Sequence, residues 1–282
     1  LFVLIFLYNL CLLDASSRVS FSRPGNMIRI PSVYQSTKKN LLNINLSSEI
    51  LSSSQNNSAV SIDFHPNSGY QYGVSLIKPI SPSNSVELGF HFQKNLIIYG
   101  NVILDIGAHD ILFRQGGDFA NGLDTRSVSL FSVLSTEKYW GDFGIITHLG
   151  FGTGKINSDS HLYIASHKQN IDPFLGFQFI TPIMKKKGNV SLLAEFDGKG
   201  LNIGVKIPLV ASYFFQLGIT RFENFGEFAS EDGVGTDYAP LNEYAPAITF
   251  GISVDIPRVF GTNDESDYNM GDGIYAKTDS SI

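Results

Sequence analysis

Six histidines, at positions 65, 91, 109, 148, 161 and 167, are the side chains of this sequence best suited to acid–base or metal chemistry. None belongs to an H-x-x-x-H pattern, the spacing that sets two imidazoles on one helix face to hold zinc. The single cysteine, Cys11, lies in an apolar N-terminal run expected to be removed, so no thiolate is left to complete a structural zinc site. No metal and no cofactor is expected. A serine beside a histidine on a barrel wall would suit lipid hydrolysis. His91 and His148 are the candidates, but the chain has no G-x-S-x-G elbow and no spacing that supports the idea. Gly150-Phe151-Gly152-Thr153-Gly154-Lys155 has the outline of a phosphate loop. That loop needs four residues between its glycines and Ser or Thr after the lysine; here three residues separate Gly150 from Gly154, and Ile156 follows Lys155. Lys185-Lys186-Lys187 reads as a solvated turn, and the acids Asp264, Glu265, Asp267 and Asp272 miss the EF-hand spacing. No catalytic residue emerges from this survey.

A second set of polar residues shares a position rather than a motif. Asp63, His65, Glu87, His91, Asp105, His148, Glu195, Asp197, Lys206 and Asp255 each occupy the polar register of an alternating segment, as Arg126 does in a less regular one. The clearest such segment is Ala247 to Ile256. There Ile248, Phe250, Ile252, Val254 and Ile256 alternate with Thr249, Gly251, Ser253 and Asp255. A strand turns successive side chains to opposite faces, so this is one apolar face and one small, polar face. The pattern predicts twelve strands, at 41–51, 59–65, 70–78, 85–93, 96–106, 125–135, 142–152, 171–181, 189–197, 200–208, 212–222 and 246–256, with Lys94-Asn95 as one tight turn. Phe131 and Val133 break the rule by sitting in the polar register.

The connections between these segments divide by length. Gly107–Asp124, Thr153–Asn170 and Glu223–Ala245 are long, and all three fall in the odd-numbered set, while every even-numbered connection is brief. Outer-membrane barrels have an even strand count, short periplasmic turns and longer outer loops. The expected fold is therefore all-β: a single antiparallel transmembrane β-barrel of about twelve strands. Glycines 73, 89, 144, 150, 152, 176, 204, 218 and 251 share the polar register. Glycine weakens a strand facing water, whereas small residues relieve crowding on the concave side of a curved wall. The polar register is thus expected to line the lumen, because a basic charge facing lipid costs about 2–4 kcal/mol at midplane.

Composition agrees. Charged residues are 16% of the chain and the formal charge is −6, which argues against a nucleic-acid binder and its basic stripe. The opening run Leu1 to Leu13 is too short to span a bilayer and suits the core of a secretory signal. The expected organisation is a signal peptide at 1–15, an N-terminal periplasmic segment at 16–40, the barrel at 41–256 and an acidic, disordered tail at 257–282. Expected partners are outer-membrane lipid and the machinery that inserts barrels.

Two stretches carry a resemblance. Asn26-Met27-Ile28-Arg29-Ile30-Pro31-Ser32 is similar to the G-L-(I/V)-x-(I/T)-P-(S/T) opening of YjbH-like outer-membrane barrels. Leu193-Ala194-Glu195-Phe196-Asp197-Gly198-Lys199-Gly200-Leu201-Asn202-Ile203-Gly204 resembles the A-E-(Y/F)-D-G-x-x-(L/V)-N-x-G hairpin of that family, and Asp105 with Asp110-Ile111-Leu112 echoes another of its stretches. The resemblance implies a bacterial outer-membrane protein that assists export or surface display of exopolysaccharide, with polysaccharide or export components as partners. It carries over no catalytic residue. A pore for small polar solutes is the alternative, ahead of a barrel-borne lipid hydrolase and a soluble secreted β-protein.

Overall fold

A computed structural model describes residues 19–33, 40–52, 55–66, 69–78, 87–113, 123–124, 129–153, 171–210, 212–227 and 246–257. The expected signal peptide, Cys11, Arg126, His161, His167 and the acidic tail beyond Pro257 lie outside the described residues. Thirteen strands form one sheet: β1 (Asn40–Ser52), β2 (Gln55–Phe64), β3 (Tyr70–Lys78), β4 (Glu87–Tyr99), β5 (Val102–Phe113), β6 (Leu123–Asp124), β7 (Ser129–Trp140), β8 (Phe143–Gly152), β9 (Asp172–Ile180), β10 (Ser191–Phe196), β11 (Leu201–Val210), β12 (Tyr213–Thr220) and β13 (Ala247–Pro257). All but β6 are staves of one antiparallel barrel. Each pairs with its neighbours in sequence, and β1 closes the ring on β13 with Asn45 opposite Ser253 and Leu46 opposite Ile252. Among the described residues, the two-residue β6 pairs with the end of β5 and no other strand. Closure leaves no open edge along the twelve staves, which is how a barrel satisfies every ladder hydrogen bond.

Strand bounds refine the expected turns. Lys94 and Asn95 are not a turn: β4 continues to Tyr99, and the reversal is made by Gly100-Asn101, with Gly100 at φ 55°. Gly141-Asp142 reverses β7 into β8 in the same way, with Gly141 at φ 62°. Positive φ at the first turn residue is what a two-residue hairpin asks for, and glycine supplies it without strain. Alternation misplaced the first turn because the apolar run Leu96-Ile97-Ile98-Tyr99 carries on past a bulge between Asn95 and Ile97. The connections spanning 114–128, 153–171 and 221–246 all leave from one end of the barrel, while β1 starts and β13 ends at the other.

The faces are sharply unlike. Along β1, Asn45, Ser47 and Glu49 are buried while Leu46 between them is 51% exposed. The same holds for Ser61 and Asp63 against Val60, Ile62 and Phe64 on β2, and for Thr249 and Ser253 against Phe250 and Ile252 on β13. In a closed sheet the buried face is the inner one, so polar side chains fill the lumen and apolar ones coat the outside. This inverts the order of a soluble barrel, whose interior is apolar.

Candidate functional site

The lumen is not filled by wall residues alone. Residues 19–33, expected as part of a periplasmic segment ahead of the barrel, lie inside it. Val19, Phe21, Met27, Ile28, Ile30 and Val33 are all at most 8% exposed, and Phe21, Met27, Ile28, Ile30 and Val33 share one apolar cluster with Ile103, Phe131, Val133, Phe174 and Leu193. Phe131 and Val133, out of place by strand register, thus serve the seat of this plug. The physical reason for the plug's position is that its apolar residues gain burial there, while its backbone finds hydrogen-bonding partners on the polar wall.

Those partners are specific. Glu195 on β10 accepts the backbone N–H groups of Arg29 at 2.8 Å, Ile28 at 3.0 Å and Ile30 at 3.4 Å. Glu49 on β1 accepts the backbone N–H and the hydroxyl of Ser20, each at 2.8 Å, and pairs with the Arg29 guanidinium. Arg23 donates Nε to both oxygens of Asp110 on β5, at 2.7 and 2.9 Å. Asn45 donates to the Phe21 carbonyl, and Gln93 donates to the Ser32 carbonyl at 2.9 Å. Inside the plug, Asn26 Nδ2 donates to the Arg29 carbonyl at 2.8 Å and the Ser32 hydroxyl donates to the Gly25 carbonyl at 2.6 Å. With the bridge between Asn26 and Pro31, these bonds tie residues 19–33 to the wall and to one another.

The two sequence stretches that carry the family resemblance meet here. In the hairpin joining β10 to β11, Glu195 holds the plug and Asn202 donates to Glu195 at 2.9 Å. Asp197 accepts the N–H groups of Lys199 and Gly200, both at 3.1 Å, which fixes its own turn, and pairs with the fully buried Arg221 at 2.9 Å. Gly204 leaves the space that Ile28 enters: a methyl there would lie 3.2 Å from Ile28 Cδ1. Two more polar-register glycines have the same cause. A methyl at Gly73 would lie 2.1 Å from Pro24 Cγ, and at Gly176 2.6 Å from Ile30 Cδ1. Wall curvature, the sequence-based explanation, is supplemented at these positions by the room the plug requires.

The residues named from sequence as lumen-lining fall as follows. Asp63, His65, His91, Asp105, His148 and Glu195 are buried on the inner face. Lys206 and Asp255 face a cavity of about 400 Å³ between the plug and the short-turn end, as do Asp63, His65 and His148. The Glu87 side chain lies outside the described residues, although its backbone starts β4. Glu195 accepts three backbone N–H groups of the plug, and Asp63 also meets the plug backbone, at Gly25. Asp105 instead accepts from Gln93 and Asn95, both at 2.7 Å. Missing from the sequence reading were Glu49, Arg23, Arg29 and Asp110 as plug anchors. The signal available for them was the apolar set Val19, Phe21, Met27, Ile28, Ile30 and Val33 inside a stretch expected as a periplasmic segment.

Two serine–histidine contacts exist on the inner face. His91 Nε2 lies 2.8 Å from the Ser75 hydroxyl, while His91 Nδ1 accepts the backbone N–H of Asp110 at 3.3 Å. An Nδ1 that accepts puts the proton on Nε2, so the ring donates to Ser75 and is not arranged to take its proton. His148 Nδ1 contacts the Ser135 hydroxyl at 2.5 Å, and no described carboxylate hydrogen-bonds to that ring. Among the described residues, no group of three or more His, Cys, Asp or Glu side chains is placed to hold a metal ion.

No protein-family model matches the chain, and no curated protein does either. Among solved structures the chain is similar to the NanC porin in its rhombohedral crystal form, at 8% identity and a TM-score of 0.44, over 76% of this chain and 98% of that one.

Proposed function

We propose that this chain is a bacterial outer-membrane β-barrel, non-enzymatic, whose lumen is occupied by its own residues 19–33. The observation that carries the reading is the inverted order of its faces, with exposed Leu46, Ile62, Leu149, Leu217 and Ile252 around buried Asn45, Asp63, His148, Gln216 and Ser253. Water would penalise that outer surface, and hydrocarbon would not. Aromatic groups near the short-turn end support a membrane interface there. Tyr70, Tyr72 and Phe92 form one group and Trp140, Phe143 and Phe179 another, with ring centroids 5.4–6.1 Å apart. The plug stands against a freely conducting pore for small solutes.

A role in export or display of exopolysaccharide rests on the family resemblance, whose two stretches supply the plug and its anchor. Fractionation of cells expressing the full chain tests the central reading. The protein should be recovered with the outer membrane, need detergent for extraction and migrate differently on a gel before and after boiling. Extraction into buffer without detergent would end it.

A further inference from the structure

The plug and the inner wall enclose the cavity of about 400 Å³, whose lining includes Asn43, His65, Asn101, Lys206 and Asp255 near the short turns. We infer that this cavity is a binding site for a small, uncharged, polyhydroxylated ligand of one or two sugar rings, entering from the short-turn end. The inference rests on the plugged-barrel reading and adds a ligand class to it.

Three observations carry it. First, the wall carries buried polar atoms that have no partner: Asn45 Oδ1, Gln216 Oε1 and Ser253 Oγ, on side chains more than nine-tenths buried. Two of them converge, because a methyl at Gly251 would lie 3.1 Å from Gln216 Oε1 and 3.5 Å from Asn45 Oδ1. Buried groups of this kind cost free energy unless something hydrogen-bonds to them. Second, the chemistry of the wall suits hydroxyls better than an ion. Amides and a serine alternate donor and acceptor whichever way the amides are turned. The charged groups come in both signs, with Lys206 beside Gln216 in the sheet register and Asp255 accepting from Asn43. A hard cation would meet Lys206, and an anion would meet Asp255. Third, Ile146 on the inner face of β8 lines the cavity and is only half-buried, giving the C–H face of a sugar ring an apolar surface. The volume falls within the range of small-molecule sites. Asn45 also donates to the Phe21 carbonyl, so an occupant of the cavity touches a residue that holds the plug.

Saturation-transfer NMR on the full chain in detergent micelles tests this, with glucose, N-acetylglucosamine and maltose as probes and sodium acetate and tetramethylammonium as charged controls. Signal transfer to at least one sugar and to neither control is expected. Gln216→Leu and Ser253→Val, neither of which removes a plug contact, should each weaken that binding about tenfold or more while leaving heat-modifiable migration unchanged. No transfer to any sugar, transfer to the charged controls, or binding unaffected by both substitutions would overturn the proposal. Planar-bilayer conductance of the same preparation reports the plugged barrel separately, so the two readings can fail independently.

Discussion

Replacing Glu195 by alanine strips the plug of its most connected anchor. The carboxylate takes two firm backbone hydrogen bonds, from Arg29 at 2.8 Å and Ile28 at 3.0 Å, and a longer one from Ile30 at 3.4 Å. Each buried N–H left without an acceptor costs about 1–3 kcal/mol, so two of them weaken docking by roughly 4 kcal/mol at mid-range. At about 1.4 kcal/mol per factor of ten, plug release becomes roughly a thousand-fold more frequent. The plug keeps Arg23 on Asp110, Ser20 and Arg29 on Glu49, and its apolar seat, so it loosens rather than unfolding the barrel. Amide hydrogen exchange in detergent or lipid measures this directly: protection of Ile28 and Arg29 should fall by about three decades while the amides of β1 and β13 stay protected. Glu195→Gln retains an acceptor but loses the charge, and should fall between wild type and alanine. In planar bilayers the wild type should be silent and the alanine variant should open intermittently. If Glu195→Ala leaves exchange at Ile28 and Arg29 within threefold of wild type, the anchoring role is wrong.

Leu46 sits mid-strand on the outer face of β1, between Val60 and Ile252. Leu46→Arg should reduce folding stability into lipid vesicles by about 2–4 kcal/mol; a change within about 0.5 kcal/mol would mean that this face meets water. Gly73→Ala adds one methyl, but against the rigid ring of Pro24 at 2.1 Å. It should displace the plug and expose residues 19–33 to added protease, with Gly226→Ala as the comparison because nothing lies within 4 Å of a methyl there. Equal resistance in both variants would remove the explanation of Gly73. Deleting residues 19–33 should leave a folded, heat-modifiable barrel that conducts steadily; a deleted barrel as silent as the full chain would place the block elsewhere in the lumen.

The wall of this protein is legible in its sequence because a strand's period of two converts a one-dimensional pattern into two faces. Ile248 to Ile256 announces β13, and the lengths of the connections separate the barrel's two ends. The turn at Gly100 escaped, since the apolar run from Leu96 to Tyr99 has no alternation for the eye to follow past the bulge. Glu195, Asp63 and Lys206 could be assigned to the polar register by the same rule, but the rule says nothing of what each one touches. Val19 to Val33 has no period at all, and a segment without one gives no local sign of where it goes. Its place inside the barrel depends on contacts with residues far along the chain, such as Ile28 with Glu195 and Arg23 with Asp110. Local residue order therefore settled the staves, and only closure of the ring, which brings those distant carboxylates around one short segment, decided that the lumen is plugged.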